Sequence, residues 1–174
     1  MENAVIALIS IAIILGGTLT LMLSVVPSID MFSTSWKEMT QRAGDMTRTQ
    51  ISTDNCTVSG EGNQVEVTVR NEGGVSLADF DSWDVIVKYY TDNTTYRVAW
   101  LPYDSSDPPA DNKWTGEDRI YFDGSAETVE PHILNPGEDM RILMQLSPVV
   151  AEHTTNWVTI STPNGVAGQV IFQR

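Results

Sequence analysis

The chain opens with an unbroken apolar stretch. Residues 3–29 carry no charged side chain and consist mainly of Ile, Leu, Val, Ala and Met. A helix needs about 20 apolar residues to cross the hydrocarbon core of a bilayer, so the stretch predicts a helix that can span a membrane. It matches a cleavable secretory signal poorly, because no Lys or Arg precedes it and no small-residue cleavage site leads at once into a polar domain.

The helical pattern continues past the apolar stretch. Apolar residues recur at intervals of three and four, with charged and polar residues on the other faces; they are Ile29, Phe32, Trp36, Met39, Ala43 and Met46. Spacing of this kind is the heptad pattern of packed helices. We therefore predict that the helix extends to about residue 50 and that this stripe contacts neighbouring helices. A single-pass anchor with no helical neighbours is the alternative.

Small and hydroxylated residues interrupt the apolar stretch. They are Ser10, Gly16, Gly17, Thr18, Thr20 and Ser24. In a membrane such residues let helix backbones approach closely, and their hydroxyls can bond between helices. This composition favours helix bundling about as much as it favours an ordinary anchor.

From about residue 55 the pattern changes to strict alternation of apolar and polar residues, which is typical of half-buried strands. The candidate strands contain residues 65–69, 83–89, 96–100, 119–122, 126–130, 140–146, 157–161 and 166–172. Turn sequences rich in Asn, Gly and Pro separate them, and no helical period intervenes. We predict a long N-terminal hydrophobic helix over residues 1–50 and an all-β antiparallel, immunoglobulin-like sandwich over residues 51–174. Residues 102–116 are predicted as an exposed loop with Trp114 folded back.

Charge is concentrated in the predicted sandwich. The chain has 23 acidic and 10 basic residues. Residues 1–50 hold four acids and three bases, which leaves nineteen acids and seven bases for the remainder. An acidic surface repels phosphate backbones, so nucleic acid is excluded as a partner.

Candidate catalytic and metal-binding residues are few. His132 and His153 lack a partner at metal-ligand spacing, and no nucleotide or hydrolase motif occurs. Five aspartates could offer oxygen ligands to a hard cation, but their spacing is not that of a calcium loop and a solvated acidic loop is the preferred interpretation; they are Asp104, Asp107, Asp111, Asp118 and Asp123. Cys56 is alone and is predicted to be a small buried residue. We predict no enzyme activity and no cofactor.

Two tripeptides match the acceptor sequence for N-glycosylation. They begin at Asn55 and Asn93, and the second falls on a predicted hairpin turn. We predict that both asparagines carry glycans on an extracytoplasmic domain.

The chain resembles an archaellin, the filament subunit of the archaeal swimming organelle. The resemblance depends on the segment ENAVIALISIAIILGGTLTLMLSVV, on the stripe through Trp36 and Met46, and on QVEVTVRNEGGVSLADFDSWDVIVKYY with its Asn-x-Gly turn. It implies a structural subunit of an extracellular helical filament, the archaellum, that transmits motor rotation for swimming. Identical subunits would bury the apolar helix in the filament core, through Val5, Leu8, Ile9, Ala12, Leu15, Gly16, Leu19, Leu23, Val26, Ile29, Phe32, Trp36, Met39 and Met46.

The resemblance also implies other partners. A class III signal peptidase would remove a basic leader from the precursor, which would lie in the cytoplasmic membrane only before assembly, and the archaellum motor and assembly platform would receive the subunit. The same plan of helix and sandwich fits a minor pilin, an adhesive pilus subunit or an anchoring accessory protein of the organelle. A rival of another class is a membrane-tethered sandwich that binds the surface layer.

Overall fold

The structure is a computed structural model that describes residues 2–92 and 95–174, without the side chains of residues 2 and 23–27. The predictions for Asn93 and for the side chains of Leu23, Ser24 and Val26 therefore lie outside the described residues. Contacts divide the chain into two compact units, residues 1–44 and residues 45–174.

A single α-helix, α1, occupies nearly all of the first unit and runs from Glu2 to Arg48. The predicted continuation of the helix beyond the apolar stretch is thus confirmed. Inside the helix, hydroxyl groups donate to carbonyl oxygens one turn earlier: Ser10 Oγ bonds Ile6 O at 2.9 Å, and Thr18 Oγ1 bonds Ile14 O at 2.9 Å. These hydroxyls, which the sequence suggested could bond between helices, donate to carbonyl oxygens of their own helix.

The second unit is a sandwich of two antiparallel sheets. Its strands are β1 (Ile51–Ser59), β2 (Gln64–Asn71), β3 (Asp84–Tyr90), β4 (Tyr96–Leu101), β5 (Lys113–Thr115), β6 (Ile120–Phe122), β7 (Ser125–Ala126), β8 (Asp139–Gln145), β9 (Thr155–Ser161) and β10 (Ala167–Gln173). The first sheet has the order β1-β2-β8-β6-β7, with β5 also paired to β8, and the second sheet has the order β10-β9-β3-β4. The predicted fold class, an apolar helix followed by an all-β sandwich, is confirmed.

The alternation of apolar and polar residues along the strands explains which side chains form the core. In β2 the residues Val65, Val67 and Val69 are fully buried, and they lie opposite buried residues of β8, namely Met144, Ile142 and Met140. The second sheet contributes Val85, Val87 and Tyr89 from β3 and Val158 and Ile160 from β9. Because successive side chains of a strand point to opposite faces, each sheet presents one continuous apolar face to the other.

Two local predictions need correction. Residues 126–130 do not form a strand beyond Ala126, because the Glu127 carboxylate accepts the backbone N–H groups of Thr128 and Val129, at 2.9 and 2.6 Å, and stabilises a turn. The predicted loop 102–116 contains the strand β5, which pairs with β8. Trp114 is folded back as predicted, and its side chain is fully buried beside Tyr103 with ring centroids 5.1 Å apart.

Candidate membrane anchor and interaction surfaces

The apolar part of α1 is exposed along its whole described length. Asn3–Met22 is long and apolar enough to cross a membrane, and none of it is buried inside the protein. The exposed fraction of the described large side chains predicted to form a filament core lies between 51% and 71%; these residues are Val5, Leu8, Ile9, Leu15, Leu19, Ile29, Phe32, Trp36, Met39 and Met46. Ala12 and Gly16 are exposed as well. An apolar surface of this size is stable only when lipid or protein covers it.

The stripe beyond the apolar segment is equally uncovered. Trp36 is 61% exposed, and its ring stacks on Phe32 with centroids 6.1 Å apart. No charge lies in the stripe, while Lys37, Glu38 and Arg42 occupy other positions of the helix. The stripe thus offers a second apolar helix surface at heptad spacing.

The acidic loop that contains Asp104 and Asp107 is bonded to basic side chains of the same protein. Arg119 donates to both carboxylate oxygens of Asp107, at 3.0 and 2.7 Å, and to Glu66 at 3.1 Å. Lys113 Nζ lies 3.3 Å from Asp104. Among the residues that the structure describes, no group of three His, Cys, Asp or Glu side chains could hold a metal ion.

Asp104 is expected to stay charged down to about pH 2. Backbone N–H groups of Ser106 and Ala110 donate to its carboxylate and lower its pKa from 3.8 to about 2. Because the pKa of Asp104 is lower in the folded state, its ionised carboxylate stabilises the folded protein above pH 3.8. This stabilisation is lost as the pH falls through about 2. An NMR titration of the Ser106 amide should show this midpoint, and Asp104→Asn should abolish the transition. A midpoint near 3.8 in the wild-type protein would contradict the assignment.

A surface cavity of about 410 Å³ lies beside the acidic loop and is lined by Ala78, Asp79, Phe80, Asp81, Tyr103, Glu117 and His132. The Tyr103 hydroxyl donates to Glu117, and His132 Nδ1 lies 2.9 Å from the same carboxylate. Burial and the bonded Glu117 carboxylate raise the pKa of Tyr103. Three polar side chains of the cavity, those of Tyr103, Glu117 and His132, are therefore in contact with one another. His153 is exposed on the surface.

Two other residues singled out by the sequence lie on β1. Asn55 is exposed and has a positive φ of 47°, at an irregularity in the pairing of β1 with β2. Cys56 is half-buried against the core, and burial raises the pKa of its thiol to about 12. Cys56 was predicted to be buried, and the structure places it at the margin of the core, only partly covered.

Sequence reasoning missed one surface, the outer face of β4. Tyr96, Val98 and Trp100 are 47%, 58% and 58% exposed there, although the alternate residues Ala99 and Leu101 are buried. The signal was present in the sequence YRVAWL, where both faces of a single strand carry apolar residues. An antiparallel sheet that faces water on one side normally has a polar outer face.

These features define a class of protein: an immunoglobulin-like sandwich that follows a membrane-length apolar helix. The sequence model of the family described as conserved flagellar protein F, immunoglobulin-like domain, matches residues 47–169. The chain belongs to this family of flagellar proteins.

Several solved structures share the fold. The archaellum periplasmic stator protein FlaG from Sulfolobus acidocaldarius matches 71% of this chain and 99% of its own, with a TM-score of 0.51 and 22% identity. The stator protein complex FlaF and FlaG from the same organism matches 71% of this chain and 88% of its own, with a TM-score of 0.50 and 22% identity.

The match to the archaeal flagellum of Methanospirillum hungatei strain JF1 covers 98% of this chain and 91% of the flagellum chain, with a TM-score of 0.53 and 17% identity. The resemblance to an archaellin is thus confirmed in fold, over the helix as well as the sandwich. No curated protein sequence matched this chain.

Proposed function

We propose that the chain is a membrane-anchored subunit of the archaellum stator, with its sandwich on the outer side of the cytoplasmic membrane. The observation that carries the proposal is the family match over residues 47–169, which spans nearly the whole sandwich. The stator proteins of Sulfolobus acidocaldarius share the fold of this region. The role is structural, with no catalytic step and no cofactor.

In this proposal the helix and the sandwich have separate tasks, divided near residue 50. Asn3–Met22 lies in the bilayer, because its apolar surface is uncovered and its hydroxyls are bonded within the helix. The stripe from Ile29 to Met46 contacts helices of neighbouring archaellum subunits, since its Phe and Trp side chains are otherwise left in water. The sandwich makes the contacts that hold the complex in place.

A filament subunit is the second candidate. It is favoured by the match to the archaeal flagellum, which extends over 98% of this chain, whereas the stator matches extend over 71%. In that case identical subunits cover the helix residues predicted as the filament core. The precursor then meets the signal peptidase and the assembly platform, and the membrane holds the helix only before assembly.

Shearing of motile cells separates the two candidates. A stator subunit should remain with the membranes when filaments are sheared off, and deletion of its gene should stop swimming. The filament protein, identified by mass spectrometry in the same preparation, serves as the control for complete shearing. Recovery of this chain as the bulk protein of the sheared filaments would refute the stator proposal and support the filament candidate.

We also propose that Asn55 carries a glycan. Its side chain is exposed at the pairing irregularity of β1, where a transferase can reach it. Asn93 remains a second predicted acceptor. The intact mass of the chain from the membrane fraction tests both sites, and a mass equal to that of the bare polypeptide would refute them.

A further inference from the structure

The outer face of the second sheet carries exposed aromatic side chains. Trp100 and Tyr96 of β4 are 58% and 47% exposed, and Trp157 of β9 is partly exposed. All three alternate along their strands with more deeply buried residues, so their side chains point away from the core. We call the outward side chains of β3, β4, β9 and β10 the aromatic face. Apolar surface that is gathered on one face of a protein marks a binding site.

The strand register arranges the three aromatic residues around a shallow cleft. Lys88 of β3 pairs with Val98 of β4 on one side and with Trp157 of β9 on the other. Tyr96 and Trp100 lie two residues before and after Val98. At the ordinary spacing and rise of strands, the Cα atoms of the three aromatic residues are about 12 to 14 Å apart. Tyr96, Trp157 and Lys88 line a cleft of about 210 Å³. Separate units of one extended ligand can therefore contact the three rings.

Two of the exposed rings are held in place by the protein. The Trp100 Nε1–H donates to the Asp84 carboxylate at 2.8 Å. The Tyr96 ring packs against the ring of Tyr90, with centroids 5.1 Å apart. These contacts restrict the rotation of both side chains before a ligand arrives. Rings fixed in this way lose less conformational entropy on binding than freely rotating side chains do.

Hydrogen-bonding side chains lie beside the rings. Gln169 of β10 completes the lining of the cleft. Its Nε2 donates to Thr159 Oγ1 at 3.1 Å, and Gln173 Nε2 donates to Thr155 Oγ1 at 3.0 Å. A primary amide also has a second N–H and an acceptor oxygen, which can bond a ligand. A purely apolar partner would bury these groups without bonds, which is costly. The aromatic face therefore suits a ligand that has both apolar surface and polar groups.

Charge is nearly absent from the aromatic face, although the chain carries a net charge of −13. Among its described outward side chains, the charged ones are Asp84 and Lys88, which have opposite signs. A basic or an acidic ligand would find no complementary field on such a surface. The charge pattern thus favours an uncharged ligand.

We propose that the aromatic face binds a neutral oligosaccharide. A pyranose ring has an apolar face of C–H groups and a rim of hydroxyl groups, so it fits an aromatic ring below it and hydrogen-bonding groups beside it. Trp157 and Tyr96 stack on sugar rings in the cleft, and Trp100 stacks on a further ring of the same sugar chain. The amides of Gln169 and Gln173 bond the sugar hydroxyls.

The source of the oligosaccharide is the Asn-linked glycans of other surface proteins. The acceptor tripeptides at Asn55 and Asn93 predict that the compartment of this sandwich contains such glycans. Both candidate functions place the sandwich outside the cytoplasmic membrane. The inference therefore rests on that location, and it does not depend on whether the chain serves the stator or the filament.

Binding of glycans to the purified full-length chain tests the proposal. The chain is kept in a polyoxyethylene detergent, whose headgroup contains no sugar ring. The probe is the neutral glycan pool released by hydrazine from surface glycoproteins of the same cells and coupled to a biolayer interferometry sensor by its reducing ends. We expect saturable binding. The dissociation constant should stay the same between about 0.05 and 0.5 M NaCl, because a neutral ligand has no charge to screen.

Substitutions locate the binding site. We expect Trp157→Ala and Trp100→Ala each to raise the dissociation constant about tenfold, because each removes one stacked ring. Trp100→Phe keeps a ring and should raise it by less than about threefold. Phe122→Ala is the matched control, because Phe122 is 57% exposed, like Trp100, but lies on β6 of the other sheet. This variant should bind like the wild-type chain, and circular dichroism should show that all variants are folded.

Several results would overturn the proposal. One is a lack of saturable binding to the glycan pool, and another is an equal loss of affinity in Phe122→Ala, which would show unspecific adsorption. Binding that weakens steeply with salt would assign the contact to charged groups. Binding of the glycoproteins that survives removal of their glycans by anhydrous hydrogen fluoride, and is lost in Trp100→Ala, would assign the face to a protein partner. All these measurements use purified components, so their failure is distinguishable from failure of the proposed function, which the shearing of cells tests.

Discussion

Arginine at both Ile9 and Ile13 is expected to remove the chain from the membrane fraction of cells. The two side chains lie one helical turn apart on α1 and are 52% and 69% exposed, within the membrane-length segment. An arginine near the centre of a spanning helix costs about 2.5 to 3.5 kcal/mol on insertion scales. Two arginines offset most of the free energy that the apolar residues gain when the helix inserts into the bilayer. Immunoblots of carbonate-washed membranes measure the loss.

The matched control places the same charges outside the apolar segment. Ser33→Arg with Gln41→Arg adds two arginines to exposed positions of the same helix. This variant should stay in the washed membranes at the wild-type level. If the Ile9 and Ile13 variant were retained equally well, Asn3–Met22 would not be the anchor.

Asn71→Ala is expected to destabilise the sandwich by about 2 to 4 kcal/mol, since each buried polar group left without a partner costs about 1 to 3 kcal/mol. Val75 O and the Gly73 N–H lose their partner. Leu134 O keeps its bond from the Leu77 N–H. The Asn71 side chain is fully buried. Its Nδ2 donates to Val75 O at 2.8 Å and to Leu134 O at 2.9 Å, and its Oδ1 accepts the Gly73 N–H at 3.0 Å. The loss is a large part of the stability of an ordinary domain.

Denaturant unfolding of the full-length chain in mild detergent measures this effect, with the fluorescence of buried Trp83 and Trp114 as the signal. Arg70→Ala is the control, because Arg70 precedes Asn71 in β2 but its side chain is exposed. Its ion pair with Asp139, at 3.2 Å and partly in solvent, should contribute less than about 1 kcal/mol. Equal destabilisation by the two substitutions would show that Asn71 does not organise the turn.

Elements with strong local periodicity could be predicted from the sequence. The apolar run before residue 30 and the heptad stripe after it predicted α1, and alternation of Val65, Val67 and Val69 predicted β2. In these segments the pattern of burial along one element is a property of the local sequence, because helices and strands repeat at 3.6 and 2 residues. The Asn-x-Gly turn after β2 could be recognised for the same reason, although the buried bonds of Asn71 could not.

Elements without such periodicity depended on pairing with distant segments. β1 has the polar sequence ISTDNCTVS, and its strand conformation follows from its ladder with β2. β5 is three residues long and exists through its pairing with β8, some thirty residues away. Likewise, the sequence showed an acidic loop, but the neutralisation of Asp107 by Arg119 required the fold to bring them together.

The membrane-length helix, its apolar stripe and the antiparallel sandwich follow from the amino-acid sequence alone, because the helical and strand periods are local. Which apolar strand face stays uncovered depends on how the strands pack. Tyr96, Val98 and Trp100 resemble core residues in the sequence. They are exposed because they lie on the outer face of the edge strand β4, whose inner face carries Ala99 and Leu101. Position in a sheet depends on the order in which distant strands pair, and no local pattern records that order.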